Sequence, residues 1–274
     1  MLKQVAACCG FLAAFFALPA LAQDEETISF SGGEFTITEN ADLEKVLSFE
    51  GAEIASDYVL YYNRTVELGG VDVALFEIGP GGNACGTATL IIWKPEAGDL
   101  QTAQAGDDCG SPHPAISEDA IYFVPYLLPG ESRSVERWSS EDGLRTVGDL
   151  AFAPQPGTSW ADLDSSKLNS MINAFANEAV YDAAKALLQD ELTDLASGLI
   201  VSDGVHTLQS GTSYGSGCVP HACGSSNAFM AIDQAGQKLY FAQQDGAGGI
   251  RSWPDPDAWP KDVYGTMTDV LASN

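Results

Sequence analysis

Hydrophobic and polar positions from residue 27 to about residue 156 follow a short-strand pattern, broken repeatedly by Gly, Pro, Asn and Asp. Residues 27–31 and 34–38 alternate on either side of Gly32-Gly33, which predicts a hairpin because glycine reaches the positive backbone angles of a tight turn. A second β pair is predicted over 58–68 and 71–78 around Gly69-Gly70, with further strands over 87–93, 120–128 and 134–138. Residues 42–47 read as a short helix.

The stretch 153–158, Ala-Pro-Gln-Pro-Gly-Thr, has the composition of a linker. Beyond it the period changes. Asp164, Ser165 and Ser166 offer helix N-caps, and Leu168, Met171, Ile172 and Phe175 recur at three- and four-residue spacing. Val180, Ala183, Ala184, Leu187 and Leu188 extend that face to about residue 192. Strands are predicted again over 204–209, 228–232, 239–243 and 249–253, and residues 262–271 form a closing helix or an extended tail. The fold class is therefore α+β. A β-rich domain over 23–157 precedes an antiparallel sheet with helices over 158–274.

The first 22 residues break both patterns. Lys3 precedes an apolar run over 5–18, Pro19 interrupts it, and Ala20-Leu21-Ala22 offers a small-x-small cleavage site before acidic residues 24–26. This reads as an export signal and directs the chain to the periplasm or beyond, with no membrane association after cleavage. Removing it takes Cys8 and Cys9 and leaves Cys85, Cys109, Cys218 and Cys223. An even set in an exported chain implies two disulfides. Of the three possible pairings, proximity favours Cys85–Cys109 and Cys218–Cys223, worth ~3.5 and ~2 kcal/mol by loop-closure entropy.

Charge narrows the partners. The chain has 38 Asp+Glu against 12 Lys+Arg, a net charge of −26. Residues 23–160 hold 24 acids and 6 bases, and residues 161–274 hold 14 and 5, so both halves are acidic. This argues against nucleic acid and anionic membrane surfaces and suits a cationic partner.

The most specific candidate site is Gly217-Cys218-Val219-Pro220-His221-Ala222-Cys223-Gly224. A disulfide across four residues would close a tight loop, Pro220 would remove a backbone freedom before the imidazole, and Gly217 and Gly224 would permit unusual backbone angles. Two readings follow from these residues alone. The loop presents His221 as a rigid recognition group, or the disulfide staples a turn and His221 is an ordinary exposed residue.

Cys218, Pro220, His221, Cys223 and Gly224 resemble the C-K-P-H-D/N-C-G loop of the periplasmic inhibitors of vertebrate lysozyme. The resemblance covers about residues 165–255, with a helix upstream and strands after the loop. It implies a non-enzymatic inhibitor without cofactor or metal. The loop Cys218, Val219, Pro220, His221, Ala222 and Cys223 would plug the cleft of a c-type lysozyme, another muramidase or a lytic transglycosylase. His221 would hydrogen-bond the enzyme's two catalytic carboxylates. The loop departs from the family at Val219, where Lys is usual, and at Ala222, where Asp or Asn is usual. The alternative is a cell-envelope binding or assembly module that keeps the fold without inhibiting.

Rival chemistry is weaker. Gly211-Thr212-Ser213-Tyr214-Gly215 fits the nucleophile-elbow pattern but sits in a Gly/Ser-rich approach to the loop. Cys218, His221 and Cys223 have the wrong spacing for common zinc sites. His113, in Cys109-Gly110-Ser111-Pro112-His113, reads as a solvated loop residue, and the five tryptophans read as core. The N-terminal half resembles no family by its motifs.

Overall fold

Consecutive strands pair with their neighbours in the computed structural model, which describes residues 26–82, 86–96, 98–106 and 111–272. The export segment, Cys85 and Cys109 lie outside the described residues. The first sheet is the meander β1 (Glu26–Phe30), β2 (Gly33–Glu39), β3 (Lys45–Phe49) and β4 (Ala52–Asp57). The second is β5 (Val59–Leu68), β6 (Val71–Gly79), β7 (Ala88–Trp93) and β8 (Gln101–Ala105). The third is β9 (Pro114–Ile116), β10 (Ile121–Phe123), β11 (Ser132–Ser139) and β12 (Gly143–Ala151).

The second sheet is the middle layer. Successive side chains of a strand point to opposite faces, and here both faces are covered. Ala74, Phe76, Ile78, Leu90 and Ile92 pack on Phe30, Phe35, Ile37 and Leu47 of the first sheet. Val73, Leu75, Ile91 and Trp93 pack on Ile121, Phe123 and Trp138 of the third. Every residue of β7 is buried, which is why it reads as an apolar run and not as an alternation.

Three expectations for this half need correction. Residues 42–47 are not a helix. The Asn40 carboxamide accepts from the amides of Asp42 and Glu44 at 2.9 and 3.0 Å, Leu43 takes a positive φ of 66°, and β3 then pairs with β2. The strand predicted over 120–128 stops at Phe123, because Pro125 cannot donate to a ladder. β4, β8, β9 and β12 were not predicted: β9 is only three residues long, the others carry no sustained apolar alternation, and most of β12 is exposed.

The C-terminal half builds a sheet between helices. Short 3-10 turns at Ser165–Lys167 and Met171–Ala176 precede α1 (Glu178–Leu188) and α2 (Leu192–Ser197). The helical face predicted from 168 to 192 is thus broken. Asn177 is extended and its side chain caps the Val180 amide at 3.1 Å, and Gln189 has a φ of 52°. The sheet comprises β13 (Val201–Ser202), β14 (His206–Thr207), β15 (Ser213–Cys218), β16 (Asn227–Asp233), β17 (Lys238–Gln244) and β18 (Ile250–Trp253). Its order is β13-β15-β16-β17-β18, with β14 also on β15. Of the strand predicted over 204–209, only His206–Thr207 forms.

Ala228, Met230, Ile232, Leu239 and Phe241 face α1 and α2. Phe229, Ala231, Tyr240 and Ala242 face Val263, Met267 and Leu271 of α3 (Lys261–Ala272). The alternative of an extended C-terminal tail is thereby excluded for these residues. The 153–158 stretch is also tied down: the Gln155 amide donates to Ala176 O at 2.8 Å and the Gly157 amide to Glu178 Oε2 at 2.6 Å.

Candidate functional site

β15 delivers Cys218 to the end of a strand covered on one side by helices and paired with β16 on its edge, Cys218 opposite Asn227. Gly217 is required by packing: a Cβ there would lie 2.8 Å from Val201 O and 2.9 Å from Leu199 Cα. Its role is close approach to the neighbouring chain. Gly224, by contrast, takes a φ of 91° that a side chain would strain.

Cys218 and Cys223 are disulfide-bonded, with Cα atoms 5.0 Å apart. Inside the ring the Ala222 amide donates to Val219 O at 3.0 Å, closing a β-turn with Pro220 and His221 at its centre. Proline second and a positive φ third, here 64° at His221, are the marks of a type II turn. Histidine is among the few side chains that tolerate this region. His221 is exposed, and Pro220 and Val219 are half-buried beside it.

The loop is held by backbone groups and neutral side chains. Ala222 O accepts from the Ser225 and Ser226 amides, each at 3.2 Å, and from their hydroxyls at 3.1 and 2.9 Å. Buried Asn227 accepts from the Gly224 amide at 2.8 Å and donates its own amide to Gln244 Oε1 at 3.2 Å. The internal hydrogen bonds therefore do not depend on a polar side chain at position 222. Ser225, Ser226 and Asn227 were not singled out from the sequence; the signal was a Ser-Ser-Asn run directly after the second cysteine.

A cleft of about 450 Å³ runs along the loop's base, lined by Val201, Ser202, Asp203, Gly217, Cys223 and Asn227. Asp203 accepts from the Ser216 amide and hydroxyl, both at 2.8 Å, and His206 Nε2 stands 3.8 Å from its carboxylate. The His206 ring lies 5.2 Å from that of Tyr214.

The rival sites resolve on geometry. Ser213 opens β15 instead of ending a strand, is buried, and donates to Ser165 Oγ at 2.8 Å, so a nucleophile elbow is not formed. The sulfurs of Cys218 and Cys223 are bonded to each other and supply no thiolate. Trp93 and Trp138 pack edge to face in the core at 5.2 Å, while Trp259 is buried against α3 and donates to Pro254 O at 2.9 Å.

His113 is exposed on a larger groove of about 1070 Å³ in the N-terminal half. Glu77 on its wall accepts from Tyr61 Oη at 2.6 Å, Thr87 Oγ1 at 2.7 Å and Asn63 Nδ2 at 2.9 Å. Burial opposes its ionisation, but these three donors, with His113 nearby, outweigh it and hold its pKa below the ordinary value. The same hydrogen bond, together with burial, pushes the Tyr61 phenol up.

Comparison with known proteins separates the two halves. Residues 31–151 match a family described as the Y4bG N-terminal domain. A relative, the uncharacterized protein y4bG of Sinorhizobium fredii (strain NBRC 101917 / NGR234), is 23% identical over 218 residues, covering 80% of each chain. A solved subtype N11 neuraminidase-like protein of a flat-faced bat isolate (H18N11) aligns at 9% identity and a TM-score of 0.27, over 82% of this chain and 68% of that one. A likeness at that level carries no fold argument. Residues 179–273, which hold the disulfide loop, match the family described as Inhibitor of vertebrate lysozyme (Ivy), and the N-terminal β domain stands outside that family.

Proposed function

We propose that this protein inhibits a lysozyme-type peptidoglycan glycosidase in the periplasm by inserting the Cys218–Cys223 loop into its cleft, with His221 between the two catalytic carboxylates. The observation that carries this is an exposed imidazole at the tip of a disulfide-closed, proline-restricted turn, within the stretch matched by the lysozyme-inhibitor family. A retaining glycosidase keeps one carboxyl protonated and one ionised about 5–5.5 Å apart. A neutral imidazole has one acceptor and one donor nitrogen and can meet both at once. The ordering of the loop is achieved within the fold, so little conformational freedom is lost on binding. A chain of net charge −26 also steers toward a basic enzyme.

His221 is exposed and not packed against the N-terminal half, which leaves the imidazole free to contact a partner; only the activity of a variant separates this from a simple staple. The test is clearing of cell walls by a c-type lysozyme with the purified full-length chain. The wild type slows clearing and His221→Ala largely loses the effect; equal activity of the two would sink the loop mechanism.

A further inference from the structure

Exposed apolar side chains line the groove of the N-terminal half and the cleft at the loop's base. Tyr126 is 75% exposed, Val201 47%, Val124 46% and Ile200 42%. Val124 and Tyr126 follow β10 in the N-terminal domain; Ile200 and Val201 lead into β13 in the other. Ile200 lines the 1070 Å³ groove together with Val124, Tyr126 and Leu128. Val201, the next residue, lines the cleft at the loop's base and pairs with Cys218. The two depressions are thus lined by consecutive residues, Ile200 and Val201. The domains touch nearby, where Thr193 Oγ1 donates to Pro129 O at 3.1 Å.

The groove also carries three carboxylates, Glu77, Glu131 and Glu136, beside Arg133 and His113. Glu77 is held by neutral donors, Glu131 accepts from the Leu128 amide at 2.7 Å, and Glu136 accepts from the Gly106 amide at 3.3 Å. None of the three joins an ion pair among the described residues, and Arg133 is the arginine on this wall. An apolar centre with an acidic rim has the anatomy of a protein interface aimed at a basic partner. A six-residue loop alone is far smaller than the roughly 800 Å² per partner that stable recognition uses.

We propose that the basic glycosidase held by the disulfide loop also rests on Val124, Tyr126, Ile200 and Val201, so that the N-terminal β domain is part of the inhibitory surface. This rests on the inhibitor reading above. The groove and the loop act as one bipartite site, the loop supplying active-site contacts and the apolar patch supplying residence time.

The test measures binding of a c-type lysozyme to the full-length chain, comparing wild type, His221→Gly and a Tyr126→Ala, Ile200→Ser double variant. Both patch residues are exposed, so melting of the double variant stays close to wild type. Its affinity falls about tenfold or more, mainly through faster dissociation. Amides of 124–128 and 200–201 gain protection from hydrogen exchange in the wild-type complex. If wild type binds, His221→Gly releases the enzyme and the double variant binds as wild type without such protection, the patch is overturned and the inhibitor reading stands. If wild type does not bind at all, both fall. If the double variant keeps its affinity for lysozyme but loses sedimentation with insoluble peptidoglycan, the patch is a glycan site and the bipartite interface is wrong.

Discussion

Each half of the molecule has an antiparallel sheet whose middle strands are buried on both faces, but the covers differ. In the N-terminal domain β6 and β7 lie between two other sheets; in the C-terminal domain β16 and β17 lie between α1 and α2 on one side and α3 on the other. In the N-terminal domain, sheets pack on both faces of the middle layer. Helices cover only a stripe, and the connection between β15 and β16 is left free at the end of the sheet, where the disulfide closes it. The same burial pattern gives a closed sandwich in one half and a presented loop in the other.

Removing a large side chain from each middle strand tests whether the two cores are separate. Phe76, fully buried among Phe35 and Tyr62, and Phe229, fully buried between Tyr214 and Trp259, are equivalent in this sense. Phe76→Ala and Phe229→Ala should each cost about 3–5 kcal/mol. Calorimetry should show two transitions, each variant lowering only its own. A single transition lowered by both would make the halves one cooperative unit.

The next effect belongs to the C-terminal half. Replacing Cys218 and Cys223 together by Ser removes a constraint on a six-residue ring, worth about 2 kcal/mol by loop entropy. Core packing of β16 and β17 does not depend on it, so the denaturation midpoint should drop modestly. Inhibition should fall much further, because a type II turn presented by a fixed ring becomes one conformer among many. Proportionate losses of stability and inhibition would show that the ring serves the fold and not the presentation.

A smaller effect separates backbone from side chain at His221. Its positive φ of 64° costs an L-residue roughly 1–2 kcal/mol that glycine avoids. His221→Gly should therefore be at least as stable as wild type, and His221→Ala slightly less. Both should lose inhibition alike. Retention by either variant would move recognition from the imidazole to the loop's shape.

Most of the C-terminal site was legible because its signals are local. Two cysteines five residues apart, a proline and a histidine define the loop without knowledge of what surrounds it, and the structure adds the turn type and the Ser225, Ser226 and Asn227 support. The N-terminal sandwich was legible where glycine pairs mark hairpins, as at Gly69 and Gly70, whose φ values are 57° and 81°, and where apolar patterning marks strands, as at β7 and part of β11. β8 and β12 were missed because their largely exposed residues carry no apolar period, although each pairs with the strand just before it. The supposed helix over 42–47 failed for a different reason. A side chain, Asn40, competes locally for backbone amides and turns the chain before a helical turn can close.

Acid should reveal the smallest difference between the halves. Several carboxylates are held below their ordinary pKa, and such groups contribute stability that is present above the unfolded pKa and lost as pH falls through the folded one. In the C-terminal half Asp162 is lowered by Ser159, Asp164 by Lys167 and Ser166, and Asp245 by the Gly249 and Ala247 amides, all within the carboxylate's own turn. Protonating them loosens short loops. Glu77 is different, because its donors sit 16, 14 and 10 residues away, on β5 and on the approach to β7. Its protonation weakens contacts between strands of the middle sheet. Lowering the pH from about 5 to about 3 should therefore lower the N-terminal transition more than global charge effects predict, and Glu77→Gln should flatten that dependence while leaving the C-terminal transition's unchanged. If the variant keeps the wild-type pH dependence, the Tyr61, Asn63 and Thr87 network is a surface ornament of the sandwich and not one of its ties.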